Sequence, residues 1–365
     1  MNAKKRKLLY NAVTFAVVIL AFLLCNLFYK EMSRTLRGML IPVCCWIVMA
    51  VSLNLVVGIS GELSLGHAGF MSVGAFTGIV VSGWLLNGFQ MENESLRLIL
   101  AMVAGGLSAG ITGFLIGIPV LRLRGDYLAI VTLAFGEIIR NVLNCIYVSV
   151  EGSDLVFGFI QPNLPGTLLL NGPNGAVSVA KIATFTAGFI LILISLVIVL
   201  NLINSRTGRA IMATRDNRIA AESVGINVTR YKMIAFVVSA VLAGVAGALY
   251  GLNYSTLVPG KFKFDQSINV LVFVVLGGIG NTLGSILSAT VLTMLPELLR
   301  EFSTYRMLIY AVLLILMMLL SNNPATRAFF SNLKSLWKRP SDETLLGHQH
   351  RPPQKARNPE GGDRT

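Results

Sequence analysis

Charge is scarce in this sequence. Charged residues make up 13% of the 365 positions and hydrophobic residues 54%, whereas soluble domains carry about 25% charged residues. The shortfall is concentrated in long charge-free runs, and about 20 apolar residues in a helix are enough to cross the hydrocarbon core of a bilayer. The composition therefore argues against a soluble protein and predicts that a lipid bilayer surrounds most of the chain.

Residues that carry enzyme chemistry are also few. The sequence contains no HExxH, no GxSxG and no GxxxxGK[ST] motif, which argues against zinc-protease, serine-hydrolase and phosphate-loop ATP chemistry. The three histidines and four cysteines are not spaced like metal ligands: His67, His348, His350, Cys25, Cys44, Cys45 and Cys145. We therefore expect no enzyme activity, no metal and no bound cofactor in this chain.

Basic residues are present, but they cluster. Residues 1–7, 205–232 and 321–365 hold almost all of the net charge of +13, and each segment flanks an apolar run. This distribution is typical of cytoplasmic loops under the positive-inside rule. Nucleic-acid binding would require aromatic residues among the basic ones, and residues 205–232 contain only Tyr231. The pattern predicts a membrane protein with both termini in the cytoplasm and no nucleic-acid partner.

The apolar runs predict an all-α, polytopic transmembrane helix bundle with about eight spans plus a broken or re-entrant helical segment. That segment, 268–299, is interrupted by glycines and is short for two full crossings. Residues 1–320 form the predicted transmembrane domain, and the proline-containing residues 321–365 form a predicted basic, largely disordered cytosolic tail. The predicted spans lie near 8–28, 37–57, 64–86, 97–120, 127–148, 181–204, 233–252 and 305–321.

Two glycine-rich interruptions stand out: residues 58–66, the first glycine segment, and residues 277–284, the second glycine segment. Non-helical backbone at membrane depth is tolerated where it is buried in protein or lines a wet cavity. Paired glycine interruptions in the two halves of a transporter indicate the substrate path. We therefore expect both segments to line a translocation path.

Small residues recur at every fourth position in two predicted spans. Such stripes let helices approach closely in lipid, either within one bundle or at a seam with a partner permease. The sequence leaves both interpretations open. The stripes are Gly105, Ala109, Gly113 and Gly117, and Ser239, Ala243, Gly247 and Gly251.

Residues 205–232, called the coupling segment below, contain a short alanine-rich stretch between predicted caps. Thr214 or Asp216 is a candidate helix N-cap, and Gly225 suits the left-handed position after the helix end. A short helix with small side chains can dock into a groove on a cytosolic partner. The other interpretation is a solvated, positively charged loop.

Four stretches carry family motifs, and they are Ser52–Phe70 (SLNLVVGISGELSLGHAGF), Arg124–Glu137 (RGDYLAIVTLAFGE), Gly208–Asn227 (GRAIMATRDNRIAAESVGIN) and Leu276–Gly284 (LGGIGNTLG). The third stretch, in the coupling segment, resembles the "EAA" loop of ATP-binding-cassette (ABC) importer permeases. Together the four stretches resemble the permease family for branched-chain amino acids, in its M-type subunit, which belongs to ABC importers. The resemblance covers about residues 40–320.

This resemblance implies a bacterial inner-membrane importer. A second related permease subunit, two cytosolic ATPases that hold ATP and magnesium, and an extracytoplasmic amino-acid-binding protein complete the system. The implied ATPase-coupling residues are Gly208, Arg215, Asp216, Asn217, Ala220, Ala221, Glu222 and Gly225. The candidate path residues are Asn54, Glu62, Ser64, Gly66, His67, Glu137, Gly277, Gly278, Gly280 and Asn281.

Some alternatives remain open at this point. The outer loop 149–179 departs from the family pattern, and a sister family with similar motifs handles urea or short amides. An ion-coupled secondary transporter would use Glu62, Glu137 and His67 as a relay, although it leaves the coupling segment unexplained. Glu137 is either neutralised by Arg140 or part of a polar path wall, and His67 is either a satisfied interface residue or a substrate contact.

Overall fold

The computed structural model describes residues 3–28, 31, 33–123, 125–159, 164–299 and six positions between 308 and 315. The chain divides into two units, Met1–Tyr310 and Ala311–Thr365. Of the predicted span at 305–321 only those six positions are described, and the predicted tail 321–365 lies wholly outside the described residues. The boundary near residue 320 therefore stays a prediction.

Helices dominate the described part of the first unit. They are α1 (Ala3–Leu27), α2 (Arg34–Asn54), α3 (His67–Asn87), α4 (Glu94–Val120), α5 (Asp126–Cys145), α6 (Phe185–Asn204), α7 (Arg206–Asp216), α8 (Arg218–Ser223), α9 (Val228–Gly251), α10 (Phe264–Gly277) and α11 (Thr282–Leu298).

Six of these helices are long and apolar enough to cross a membrane, counting only the described residues: α2 with its extension to Ser60, α3, α4, α5, α6 and α9. The apolar part of α1, Asn11–Leu27, and helices α10 and α11 are shorter. At 1.5 Å per residue α10 is only about 21 Å long, less than the thickness of the hydrocarbon core. The predicted helix bundle is confirmed, and the paired short helices α10 and α11 fit the predicted broken segment.

The centre of the bundle is formed by α3, α4 and α9, whose backbones approach closely at small residues. A Cβ atom added to Gly105 would lie 2.7 Å from Gly74 O, and one added to Gly113 would lie 2.6 Å from Ala240 Cβ. One added to Gly251 would lie 3.1 Å from Ala75 O. Both small-residue stripes are thus used for packing inside this chain, which resolves the ambiguity in the sequence.

The first glycine segment interrupts the helical backbone only in part. Helix α2 continues as a π-helical stretch, Leu55–Ser60, that ends at Gly61 in the left-handed region with φ of 74°. All six residues of this stretch are buried. A π-helical stretch is uncommon and frequently marks a functional site.

A small antiparallel sheet follows α5, and the sequence did not predict it. Its strands are β1 (Ile146–Glu151), β2 (Asp154–Phe159) and β3 (Thr167–Asn171), in the order β2-β1-β3. A tight turn at Gly152 and Ser153 pairs Glu151 with Asp154. The Trp84 indole near the end of α3 donates a 2.7 Å hydrogen bond to Ser153 O, which ties the sheet to the bundle.

Candidate functional site

The two glycine segments meet directly in the structure. A Cβ atom added to Gly58 would lie 2.7 Å from Gly280 Cα, so the approach leaves no room for a side chain on Gly58. The Gly280 N–H donates a 2.9 Å hydrogen bond to Asn54 Oδ1. Because the contact joins residues more than 200 positions apart, the sequence alone could not pair these two segments.

Helices α10 and α11 form a hairpin around the second glycine segment. A Cβ atom added to Gly277 would lie 2.5 Å from Ser285 N. Gly278 and Gly280 have φ of 91° and 82°, a region that favours glycine. Asn281 caps α11, because its side chain accepts a 3.1 Å hydrogen bond from Gly284 N. The glycines and the cap thus reverse the chain sharply beside Gly58.

The coupling segment contains two helices, not one. Ser205 caps α7, and α7 runs through both Thr214 and Asp216. The predicted caps at these two residues are therefore wrong: the N-cap of α8 is Asn217, which has an extended backbone and accepts a 3.0 Å hydrogen bond from Ala220 N. Thr214 instead donates to Ile211 O within its own helix.

Arg215 connects the coupling segment to the first glycine segment. Its guanidinium donates a 2.8 Å hydrogen bond to Gly58 O and two bonds, of 3.0 and 2.9 Å, to Asp216 Oδ1. Its side-chain Cγ leaves no room for a Cβ atom on Gly61. One side chain therefore joins the predicted ATPase-coupling residues to the predicted path.

A second link joins Glu62 to Lys232 at the start of α9. The two side chains form a salt bridge and are only 13% and 12% exposed. Sequence reasoning counted Lys232 among the basic residues of the loop but assigned it no role. Its partner is 170 positions away, and nothing local to Lys232 indicates it.

The path residues near His67 form a packed polar cluster. His67 is 2% exposed, and its Nε2 shares a 2.7 Å hydrogen bond with Ser52 Oγ. This matches the interpretation of a satisfied interface residue. Gly66 packs against the Thr132 backbone, where an added Cβ atom would lie 2.9 Å from Thr132 C. Ser64 Oγ is buried and has no hydrogen-bond partner among the described residues.

Glu137 lies on α5 and pairs with Arg140 at 2.7 Å; the two side chains are 32% and 22% exposed. The other carboxylate oxygen accepts a 3.3 Å bond from Phe264 N at the start of α10. Both interpretations of Glu137 are compatible with this geometry, since the pair is neutralised and also reaches the surface. Within the described residues, no group of three or more His, Cys, Asp or Glu could hold a metal ion.

The remaining coupling residues lie on α7 and α8 or just after the end of α8. Gly208 is buried against the end of α6, and a Cβ atom there would lie 2.5 Å from Ile203 O. Ala221 is buried, whereas Ala220 is exposed. Glu222 forms a 2.9 Å salt bridge with Arg218. Gly225 has φ of 81°, as expected for the residue after a helix end, with open space around it.

Curated relatives resemble most of this chain. The high-affinity branched-chain amino acid permease LivM of Salmonella typhimurium is 36% identical over 308 residues, which is 75% of this chain and 66% of the relative. LivM of Escherichia coli is 34% identical with the same coverage. The related BraD of Pseudomonas aeruginosa is 25% identical over 268 residues, 72% of this chain and 84% of the relative. The chain thus spans just under two thirds of the length of both LivM proteins, and no solved structure gives a significant match.

A family profile matches most of the chain, and therefore more of it than any of the single segments considered above. The profile described as "branched-chain amino acid transport system / permease component" matches residues 35–321. This range contains both glycine segments and the coupling segment. Together with the apolar helices, the match identifies a multi-pass membrane protein, and the chain belongs to this permease family.

Proposed function

We propose that the chain is the transmembrane permease subunit of an ABC importer that moves branched-chain amino acids into the cytoplasm. The observation that carries this proposal is the Arg215–Gly58 hydrogen bond, because it connects α7, which leads directly into the short alanine-rich helix α8, to the meeting point of the two glycine segments. Transport in such a system needs a rigid connection between the ATPase and the segments that open and close the translocation path. The family membership supplies the substrate class.

In the proposed mechanism an ATPase binds α8, and movement of the ATPase displaces α8 and α7 together. Arg215 transmits this movement to the π-helical stretch at Gly58, and Glu62–Lys232 carries α9 along. Because Gly58 touches Gly280, a shift of one glycine segment changes its contact with the other. The proposed cycle alternates between the contact of Gly58 with Gly280 seen in this structure and a second arrangement in which the two glycines separate, which is what alternating access requires.

The chain would lie in a bacterial inner membrane, with the coupling segment and both termini in the cytoplasm. Its partners would be a related permease subunit, two ATPases that bind ATP and magnesium, and an extracytoplasmic amino-acid-binding protein. The clustering of basic residues in segments 1–7, 205–232 and 321–365 supports this orientation. The chain itself would hydrolyse nothing and bind no cofactor.

Leucine, isoleucine and valine are the proposed substrates. The printed names of the LivM and BraD relatives support this choice, because they describe those proteins as branched-chain amino acid permeases. Selectivity would reside mainly in the binding protein, and the permease would supply a weakly specific path. Urea and short amides are the substrates to test against this proposal.

The experiment is uptake into proteoliposomes that contain the chain with its partner permease and ATPases. Uptake of labelled leucine should require ATP inside the vesicles and the binding protein outside them. Excess isoleucine or valine should compete, whereas urea and acetamide should not. A proton ionophore should leave the initial rate unchanged.

Two results would contradict the proposal. Uptake that persists without ATP and collapses with the ionophore would indicate an ion-coupled transporter. Labelling of a cysteine placed in 205–232 by an impermeant reagent added to intact cells would place the coupling segment on the wrong side of the membrane.

A further inference from the structure

One face of α5 is polar, although this helix is long and apolar enough to cross a membrane. Glu137, Arg140, Asn141 and Asn144 are spaced so that they lie on the same side of the helix. The Glu137 and Arg140 side chains are 32% and 22% exposed, Asn141 is exposed and Asn144 is half-buried. Of the six long helices described, α5 is also the least buried. The rest of the chain therefore leaves this polar face uncovered, and lipid is a costly neighbour for ionisable groups.

Helix α10 begins beside this face. The N–H of Phe264, the first residue of α10, donates a 3.3 Å hydrogen bond to Glu137 Oε1. Glu137 lies about two helical turns, or about 12 Å, before Cys145, the last residue of α5. The start of α10 is therefore level with the body of a membrane-crossing helix and not with its end.

The segment that leads into α10, residues 252–263, is not α-helical. It contains a short 3₁₀ helix, Pro259–Phe262, and the Phe262 ring packs edge-on against Phe76, near the middle of α3, with centroids 6.2 Å apart. Non-helical backbone at membrane depth is tolerated where protein buries it or where it lines a wet cavity. Phe262 is buried, but its two lysine neighbours in the sequence are exposed, so this segment needs water on its other side.

The exposed charges at the start of α10 have no ionic partner. Lys261 and Lys263 form no salt bridge with any residue that the structure describes, and the Lys261 ammonium lies over the Tyr254 ring, 4.5 Å from its centroid. Asp265, in the first turn of α10, is exposed and likewise has no salt bridge within the described part of the chain. Because the two charges on α5 neutralise each other, two lysines against one aspartate leave a net positive charge.

We propose that these elements form one wall of a water-filled passage, the outer half of the translocation path, on the side of Gly58 and Gly280 that faces away from the coupling segment. This polar wall consists of Glu137, Arg140, Asn141 and Asn144 on α5 together with Lys261, Lys263 and Asp265. Its net positive charge raises the local concentration of solutes that carry a free carboxylate and lowers that of cations. The related permease subunit would close the passage on its other side. The assignment of the passage to transport rests on the proposed function; the exposure of the polar wall to water does not.

Accessibility to water is tested on the assembled transporter in proteoliposomes, with single cysteines in a chain whose four native cysteines are replaced by alanine. The probe is 2-sulfonatoethyl methanethiosulfonate, an anionic thiol reagent. Asn141→Cys and Lys263→Cys should react about 10-fold faster, or more, than Leu107→Cys, because a charged reagent is strongly disfavoured in hydrocarbon. Leu107 is the matched control, since it is 62% exposed in a run of exposed apolar residues on α4.

The sign of the local charge is tested at the same cysteine. For Asn141→Cys, the ratio of the reaction rate with the anionic reagent to that with its cationic trimethylammonium analogue should exceed the ratio for free cysteine. Replacing both lysines, Lys261→Gln with Lys263→Gln, should lower this ratio about 3- to 10-fold, since the attraction of the anion and the repulsion of the cation are lost together. The ratio at Gln90→Cys, an exposed position between α3 and α4, should not change.

Transport then tests whether the polar wall lines the path. Complete modification of Asn141→Cys should stop the uptake of labelled leucine, because the attached group occupies the passage, whereas modification of Gln90→Cys should leave uptake unchanged. Absence of uptake by the unmodified transporter would refute the proposed function, and the reaction rates would still decide whether the polar wall meets water. Uptake that continues after complete modification of Asn141→Cys would show that the polar wall lies outside the path.

Two rate measurements would overturn the proposal. Asn141→Cys that reacts as slowly as Leu107→Cys would place this face of α5 against lipid or in a dry seam between subunits. A rate ratio that is the same with and without the two lysines would show that the polar wall does not select solutes by charge.

Discussion

The Arg215 guanidinium and the Gly58 carbonyl oxygen are 2.8 Å apart, although 157 positions separate the two residues. The guanidinium satisfies a carbonyl that belongs to a π-helical stretch and at the same time contacts Asp216. A planar guanidinium with several donors can hold two acceptors in a fixed geometry, which a lysine ammonium does less well. The link between the coupling segment and the first glycine segment therefore depends on arginine in particular.

Arg215→Lys should separate ATP hydrolysis from transport. We expect about 10-fold less uptake per ATP hydrolysed, since the rigid two-acceptor contact is lost while α8 remains intact. The measurement is the ratio of leucine uptake to phosphate release in proteoliposomes. Arg230→Lys, an exposed position on α9, is the control and should behave as the wild type. An unchanged ratio in Arg215→Lys would show that this contact does not transmit the motion.

Gly58→Ala should destabilise the protein by about 1–3 kcal/mol, because the added methyl group would overlap Gly280 and Asn54. The expected readout is a lower midpoint of thermal unfolding in detergent, together with reduced uptake. Gly38→Ala is the matched control in the same helix, since no atom lies within 4 Å of its added Cβ. It should be neutral or stabilising, as alanine is the better helix former. Equal midpoints for the two variants would contradict the close contact.

Lys232→Met should cost about 3 kcal/mol, because it leaves the Glu62 carboxylate, 13% exposed, without its partner. Adding Glu62→Gln to the same chain should recover most of the loss, since no unpaired charge then remains. The coupling energy is obtained from a double-mutant cycle of unfolding free energies. Lys263→Met, at an exposed lysine, is the control. Additive effects of the two substitutions would mean that the pair makes no contribution.

Asn217→Ala should lower the stability of α8 by about 1 kcal/mol, because α8 loses its N-cap. Hydrogen exchange of the amides in 218–223 should become faster. Asn217→Asp should keep the cap and the slow exchange. Thr214→Ala should leave the exchange of 218–223 unchanged, as Thr214 bonds within α7. The opposite pattern would restore Thr214 as the cap.

Much of the architecture could be predicted from the sequence because the bilayer imposes it locally. A span must be long and apolar, so each of the six long helices has its own signal. The glycine interruption at 277–280 could also be predicted from the sequence, because a left-handed backbone favours glycine. For the same reason Gly225 was correctly assigned to a helix end.

Features that depend on distant partners could not be predicted. Gly58 contacts Gly280, and Glu62 pairs with Lys232. In both pairs the local sequence around one residue does not indicate its distant partner. The N-cap of α8 was misplaced because Thr214, Asp216 and Asn217 all have capping side chains, and only the backbone decides which one leaves the helix. The small sheet was missed because β1 follows α5 directly and continues the same apolar run.

The bond between Trp84 and Ser153 has a mechanical consequence. It fastens the sheet to one end of α3, and the other end of α3 is His67, beside the first glycine segment. A helix of 21 residues is a stiff rod of about 30 Å. A displacement of the turn at Gly152 and Ser153 would thus act on the Trp84 end of α3 and, through this helix, on His67 at its other end.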